Sequence, residues 1–402
     1  MVGTMGTAPC YQVVLLEPER QYVPAGGHSV TLRATLERQL TALGLEPMTA
    51  LRVLDETNFH HARDPFLPVA AVYFGGLHQS VEATQIVEQL RAEGRFVLPV
   101  VPTLVGYGTQ VPAALAPING MELSPNDPDL QHAVARLMED LGLMRSRRLV
   151  FISYKRDESR GVALQLHHAL EARSFDVFLD THSIQRGDEF QPMLWDRMGD
   201  ADLLILLDTP HAFTSKWVEQ EVARAHNLGL GVLQLIWPPP HKRTLGTELC
   251  EPVSLEAKDF EGTPSEPGST LLDSRMEEVV ALAEGTRARS LASRKTRVIT
   301  EFCKQMEGLG VDVVVQPSGH LEVQHPSMEA THVFPIVGHP ETSLLQQIED
   351  DCLKCGPPPP RGCLIYDPLG MWPKKAAHLE WLNKSLPIKS LAVTEVLKWL
   401  TP

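Results

Sequence analysis

The sequence is short of several things, and each shortage removes a class of function. No stretch of about 18 apolar residues occurs in the 402, so no membrane-spanning helix is expected. Basic residues are outnumbered, 36 Lys+Arg against 50 Asp+Glu, for a formal net charge of -14. Binding nucleic acid through its phosphates needs a basic surface, so direct nucleic-acid binding is not expected. A small local cationic pocket remains compatible with this balance. Six cysteines in such a length make no disulfide framework, and reduced thiols in a cytoplasmic protein are the expectation. The opening MVGTMGTAPCYQVVLLEPER has no basic leader, and its apolar run is too short for a signal peptide. Metal ligands are equally thin. Cys352, Cys355 and Cys363 lack a second close pair, and prolines 357–360 separate the third cysteine. Neither His60-His61 nor His167-His168 has ligand spacing. No metal is expected.

What is present is a strong alternation of elements. With 43% hydrophobic residues the chain has material for sizeable cores, and its length suits two or three domains. RRLVFIS (147–153) reads as a buried strand, and Val162, Leu166 and Leu170 then line one face of a helix. FDVFLD (175–180) is a second strand. A loop with Gly187 and a helix through Met193 and Trp195 follow. ADLLILLD is a third strand, SKWVEQEVARAHNLG a helix closed by Gly229, and GVLQLIW a fourth strand. Strands alternating with helices imply an α/β fold with a doubly wound parallel sheet.

The N-terminal part echoes this order. Residues 66–101 lay over 201–236 without a gap, Ser80 meeting Ser215, Val87 Val222 and Gly94 Gly229. The organisation expected is an α/β domain over 1–143, a possible internal duplicate; a central domain over 147–240; a linker over 241–285, rich in Pro, Ser, Gly and acidic residues; and a C-terminal α/β domain over 286–402. In the last, a helix (RKTRVITEFCKQMEGLG), a strand pair around VDVVVQPSGHLEVQ, strands HVFPIVG and CLIYD and a final helix LAVTEVLKWL are expected.

An open doubly wound sheet binds ligands beyond the carboxyl ends of its strands, where the strand order reverses. In a flavodoxin-like order that place lies between the first and third strands. The first strand of the central domain runs into Ser153, Tyr154, Lys155 and Arg156, and the third into Asp208, Thr209 and the HAFTSKW loop. On the helix from Ser215, Val218, Val222 and Ala225 form the sheet-facing stripe. Trp217 and Glu221, at i and i+4, share a flanking stripe. At ~100° per residue Glu219 is turned about 200° from Glu221, toward solvent.

These residues in this order resemble a TIR (Toll/interleukin-1 receptor) domain. The resemblance covers roughly 147–240: LVFISYKR, then FDVFLDTHSIQRGDEF, ADLLILLDTPHAFTSKWVEQEV and GVLQLIW. It implies a flavodoxin-like central domain. It also implies NAD⁺ cleavage at the nicotinamide–ribose bond with Glu221 as the catalytic glutamate. Under the resemblance, Ser153, Tyr154, Lys155, Arg156, Asp180, Gln185 and Trp217 would bind the dinucleotide. The loop holding Gly187, Asp188 and Phe190 would gate the site and contact neighbouring domains. NAD⁺ is then substrate, and no cofactor is implied. Self-association through TIR domains, an activating trigger or partner, and a role in antiviral defence or signal transduction are further implications of the family. In the N-terminal echo Ile86 stands at the Glu221 position and Glu82 at the Trp217 position. Glu17 and Glu19 end the first strand, so that copy would be inactive. Two other readings stand beside this one: a non-enzymatic TIR–TIR adaptor, which has no need of Glu221 or the Tyr154-Lys155-Arg156 run, and a nucleoside deoxyribosyltransferase-like enzyme, against which the basic pair favours a dinucleotide.

Overall fold

The computed structural model describes residues 11–18, 27–65, 67–179, 190–264, 266–316, 319–324, 331–354 and 360–400. The chain separates into two compact units. One is built on the N-terminal part through Ser146 together with Glu277–Ala288, the other on Arg147–Met276 together with Arg289–Pro402.

The N-terminal unit holds β1 (Tyr11–Leu16), β2 (Leu51–Leu54), β3 (Val69–Phe74), β4 (Phe96–Val101) and β5 (Met121–Glu122), in the order β2-β1-β3-β4-β5. Every pairing is parallel. Both β1 and β3 are buried along their whole length, as strands covered by helices on two faces must be. The helix Val81–Ala92 buries Ala83, Ile86, Val87 and Leu90, a helical stripe, and Ser80 caps it by accepting a hydrogen bond from the Ala83 N–H. Arg287 is fully buried here, and its guanidinium donates to Glu139 Oε1 at 2.8 Å and to the Arg145 carbonyl at 2.7 Å.

The central sheet holds β6 (Leu149–Ser153), β7 (Asp176–Leu179), β8 (Leu203–Asp208), β9 (Gly231–Ile236) and β10 (Glu251–Ser254). Its order is β7-β6-β8-β9-β10, again all parallel. Both sheets therefore have the flavodoxin-like order 2-1-3-4-5. The offset that lays 66–101 over 201–236 carries β4 onto β9 and the helix Val81–Ala92 onto the helix Lys216–Leu228. The register is not conserved: Ala70 pairs with Phe96, whereas Leu203, not Ile205, pairs with Gly231. Gly229 closes the 216–228 helix in the left-handed conformation, φ 68°, which suits a glycine.

The segment 241–285 is not a linker. It supplies β10, then the hairpin β11 (Phe260–Glu261) with β12 (Thr270–Leu271), then the start of a helix that runs from Asp273 to Glu307. Its loop-like composition has a physical reason. As an edge strand β10 buries only Val253 well, and the hairpin strands are two residues long. The hairpin packs on the first central helix, Arg156–Glu171. Gln165 bonds both the N–H and the carbonyl of Leu271, each at 2.8 Å. The Gly161 N–H donates to the Pro267 carbonyl at 2.7 Å, and a Cβ at Gly161 would lie 2.2 Å from the Ser269 carbonyl oxygen.

The C-terminal sheet runs β13 (Asp312–Val315), β14 (Leu321–Gln324), β15 (Thr331–Pro335), β16 (Arg361–Tyr366) and β17 (Lys389–Ala392) in sequence order. The first two pairings are antiparallel and the last two parallel. Leu391 and Ala392 thus belong to a strand, and only Val396–Leu400 of the expected final helix is α-helical. Val298, Phe302 and Met306 of the long helix cover one face, while the helices Thr342–Lys354 and Pro373–Ser385 cover the other. Among the described residues no helix is long and apolar enough to cross a membrane.

This C-terminal sheet region grips the central domain by its helix ends. Arg294 donates to the carbonyls of Ala201, at 2.7 Å, and Gly199, at 3.1 Å, at the end of the helix Phe190–Asp200. Arg297 donates to the Leu228 carbonyl at 3.1 Å, at the end of the 216–228 helix. Cations at helix C-termini satisfy carbonyls that have no partner within the helix and oppose the helix dipole. Asp200 accepts from the His339 N–H and Asp196 from the Trp372 N–H, each at 2.9 Å. Arg294→Ala removes two charge-assisted hydrogen bonds, a loss of about 1.5–3 kcal/mol. Calorimetry of the full chain should show a Tm lower by several degrees, and an unchanged Tm would mean that the contact contributes nothing.

Candidate active site

The strand order reverses between β6 and β8, which pair from Val150–Leu203 to Ser153–Leu206. Right-handed crossovers then send the helix after β6 and the helix after β8 to opposite faces, opening a crevice at the carboxyl ends of the two strands. The described side chains meet there. Ser153 is the last residue of β6, and its hydroxyl donates to Glu221 Oε2 at 2.5 Å. Both residues are 0% exposed. The helix phase is the expected one: Val218, Glu221, Val222, Ala225 and Leu228 are buried, whereas Glu219 is exposed. Trp217, one turn before Glu221, is 40% exposed. Tyr154 is buried.

The rim of the crevice is polar. Lys155 Nζ lies 3.3 Å from Thr214 Oγ1 and 3.4 Å from Glu158 Oε1. Glu158 also accepts from the His211 backbone N–H at 3.1 Å and pairs with His211 Nδ1 at 2.6 Å. These contacts tie the helix after β6 to the loop that leads into the Glu221 helix. Burial pushes the Glu158 carboxyl up, but the Thr209 hydroxyl, the hydrogen bonds from His211 and the Lys155 charge together outweigh it and hold the group below the usual carboxylate value. Arg156 is exposed at the first turn of its helix.

A second network fixes the floor. Asp208, the fully buried last residue of β8, accepts from Gln234 Nε2 at 2.7 Å, from Thr244 Oγ1 at 2.6 Å and from the Thr244 N–H at 3.1 Å. His241 Nε2 stands 3.2 Å from Asp208 Oδ1, the oxygen that the Thr244 hydroxyl also reaches. Arg243 donates to Gln234 Oε1 at 3.0 Å, to the Cys250 carbonyl at 2.8 Å and to the Thr247 carbonyl. The loop between β9 and β10 is thereby latched to the end of β8. A buried carboxylate is tolerated only with donors of this number.

The structure brings Ser153, Tyr154, Lys155, Trp217 and Glu221 to one strand end and one helix. Asp180, Gln185, Gly187 and Asp188 lie outside the described residues, as does the side chain of Phe190, the first residue of its helix. Sequence reasoning assigned no role to Glu158, His211 or Asp208. The available signal for Asp208 was an acid closing an otherwise apolar run, LLILLD, which implies buried donors nearby. Among the described residues no group of three His, Cys, Asp or Glu could hold a metal ion.

The N-terminal sheet arranges the same place differently. Ile86, at the Glu221 position, is 0% exposed within the apolar core. Glu17, just past β1, accepts from the His28 N–H at 2.7 Å, the Ser29 N–H at 3.0 Å and the Ser29 hydroxyl at 2.5 Å. A helix N-terminus that could receive a phosphate is filled by the chain's own carboxylate. Gly27, at φ +82°, lets that carboxylate approach, since a Cβ there would lie 2.5 Å from it.

Comparison with known proteins agrees with the geometry. Residues 150–255, roughly a quarter of the chain, match the family model described as TIR domain; the chain carries a TIR domain, and the match reaches through β10. No curated protein matches the chain. Among solved structures it is similar to a putative phosphosugar isomerase from Silicibacter pomeroyi, at 10% identity and a TM-score of 0.20, over 70% of this chain and 86% of that one. It is also similar to a fatty acid ABC transporter substrate-binding protein from Thermomonospora curvata, at 10% identity and a TM-score of 0.20, over 80% and 90%. Similarity at that level supports no inference.

The Glu158 contacts set a pH dependence. A carboxyl held below its unfolded value contributes stability above the carboxylate range and loses it as pH falls through the folded value. The Tm difference between the wild type and Glu158→Gln should therefore be present at neutral pH and shrink away as pH falls below the ordinary carboxylate range. A difference that persists into acid would show that the Glu158 charge is not what stabilises the rim.

Proposed function

We propose that the chain cleaves NAD⁺ at the nicotinamide–ribose bond, giving nicotinamide and ADP-ribose or a cyclised isomer. The observation that supports this is the Glu221 carboxylate, buried at the reversal of the strand order, bonded to Ser153 and one helical turn past Trp217. The chemistry suits one carboxylate. An ordinary glycoside needs a second acid to protonate its leaving oxygen. Nicotinamide departs from a pyridinium as a neutral base, so no general acid is required. What remains is to stabilise the oxocarbenium-like ribose, and a fixed negative charge out of water does this strongly. Trp217 and Tyr154 offer aromatic faces for a ring of the dinucleotide. Lys155 and Arg156 offer cations for its diphosphate, which would compete with Glu158 for Lys155.

Glu221 is closed to solvent, so a ribose would need a local rearrangement to reach it. That fits an enzyme whose competent state is a minor one until self-association or a trigger selects it. The same closure favours the alternative, a TIR–TIR signalling adaptor in which Glu221 has no chemistry. A place in defence rests on family analogy alone.

Incubation of the full chain with NAD⁺ over a wide protein dilution series separates the readings. Nicotinamide should appear, and specific activity should rise with protein concentration alongside light scattering. Glu221→Gln should lower the rate by about 10²–10³, while Glu219→Gln, which is exposed, should be close to neutral. Loss of activity in Glu219→Gln but not Glu221→Gln would overturn the catalytic assignment. A flat, high specific activity from a monomer would overturn activation by assembly. No turnover at any concentration would favour the adaptor.

A further inference from the structure

We propose that Ser153 is a positioning residue that fixes the Glu221 carboxylate across the β6–β8 crevice and does not itself contact the substrate. Its catalytic consequence rests on the NAD⁺ reading above; its geometry does not. Ser153 was expected to bind the dinucleotide, but it is 0% exposed, and its hydroxyl is engaged 2.5 Å from Glu221 Oε2. That separation is at the short end for an O–H···O bond, in the range of charge-assisted ones. The setting is unusual for a hydroxyl. Every other residue of β6 is apolar and buried, and Ser153 pairs in register with Leu206 on β8. A valine or alanine there would continue the apolar strand and leave Oε2 without this donor.

A glutamate on a helix carries three side-chain torsions, and a mobile carboxylate is a poor electrostatic stabiliser, because it must be reoriented as charge develops. Ser153 removes that freedom at its end. The strand supplies a rigid anchor, the hydroxyl holds Oε2, and the rotation of the carboxylate about its last torsion is arrested. Two elements that diverge at the reversal point, β6 and the 216–228 helix, are thereby joined at the one group proposed to act on the ribose. Among the described residues the other titratable groups around the crevice are Tyr154, Lys155, Arg156, Glu158 and His211 at the rim, with Asp208 and His241 at the end of β8. A substitution at Ser153 leaves all of them in place, so a change between variants reports on Glu221.

The test compares the full chain with Ser153→Ala and Ser153→Thr. Threonine keeps the hydroxyl and suits a strand. Loss of a hydrogen bond to a charged group corresponds to a fall in kcat of about 10- to 100-fold for Ser153→Ala, with KM within about twofold. A hydroxyl donor favours the ionised carboxylate, so the acid limb of the pH–rate profile should move to higher pH in Ser153→Ala and return in Ser153→Thr. An unchanged kcat, or a rise in KM alone, would overturn the proposal; the latter would place Ser153 against the substrate. A second arm needs no NAD⁺. The Glu221 carboxyl band, identified by infrared difference against Glu221→Gln, should titrate at higher pH in Ser153→Ala than in the wild type. A band that does not move overturns the coupling whatever the turnover. A band that moves in a chain with no turnover overturns the NAD⁺ reading and leaves the coupling standing.

Discussion

A carboxylate taken out of water must be given donors, and much of the central domain can be understood from that constraint. Two acids close the two strands' worth of crevice: Glu221, met by the Ser153 hydroxyl, and Asp208, met by Gln234, Thr244 and His241. The first joins β6 to the helix after β8. The second joins the end of β8 to the loop between β9 and β10. Neither junction could be made by apolar packing alone, which has no direction. The hydrogen bonds are what bring a particular oxygen to a particular strand end.

The N-terminal sheet shows what the same topology looks like without that arrangement. It repeats the strand order, but an isoleucine sits in the core where Glu221 would be, and Glu17 fills the first helix N-terminus from inside. The likeness of the two domains is one of topology and element spacing, with a register that differs by two residues between β3–β4 and β8–β9. The C-terminal sheet is a different construction, mixed in direction, and its region meets the central domain through Arg294 and Arg297 at the ends of the two helices that follow β7 and β8, and through the His339 and Trp372 N–H groups. Those are the ends away from Glu221, so the crevice is left to the loops.

How much of this was legible in the sequence depended on burial. Strands buried on both faces, such as LVFIS, LLILLD and VAAVYF, announce themselves as apolar runs, and the helix phase that separates Glu221 from Glu219 follows from Val218, Val222 and Ala225. Elements at edges do not. β10 buries only Val253 of its four residues, and the stretch from Asp273 that opens the long helix is polar enough to read as a connection. Site residues that bond to a partner distant in sequence were legible in identity but not in role. Ser153 was visible as a hydroxyl at a strand end, yet only the fold shows that it faces Glu221, 68 residues away.

The central claim is that Glu221 is the group that acts on the nicotinamide ribose. Saturation-transfer NMR of NAD⁺ with the Glu221→Gln chain tests it most directly, because binding and chemistry are read in one sample. The account predicts that the variant still binds, with the strongest saturation on the nicotinamide and its ribose, while the NAD⁺ signals stay constant over hours in which the wild type converts them. Conversion by Glu221→Gln at the wild-type rate, or saturation confined to the adenine with none at the nicotinamide ribose, would contradict it.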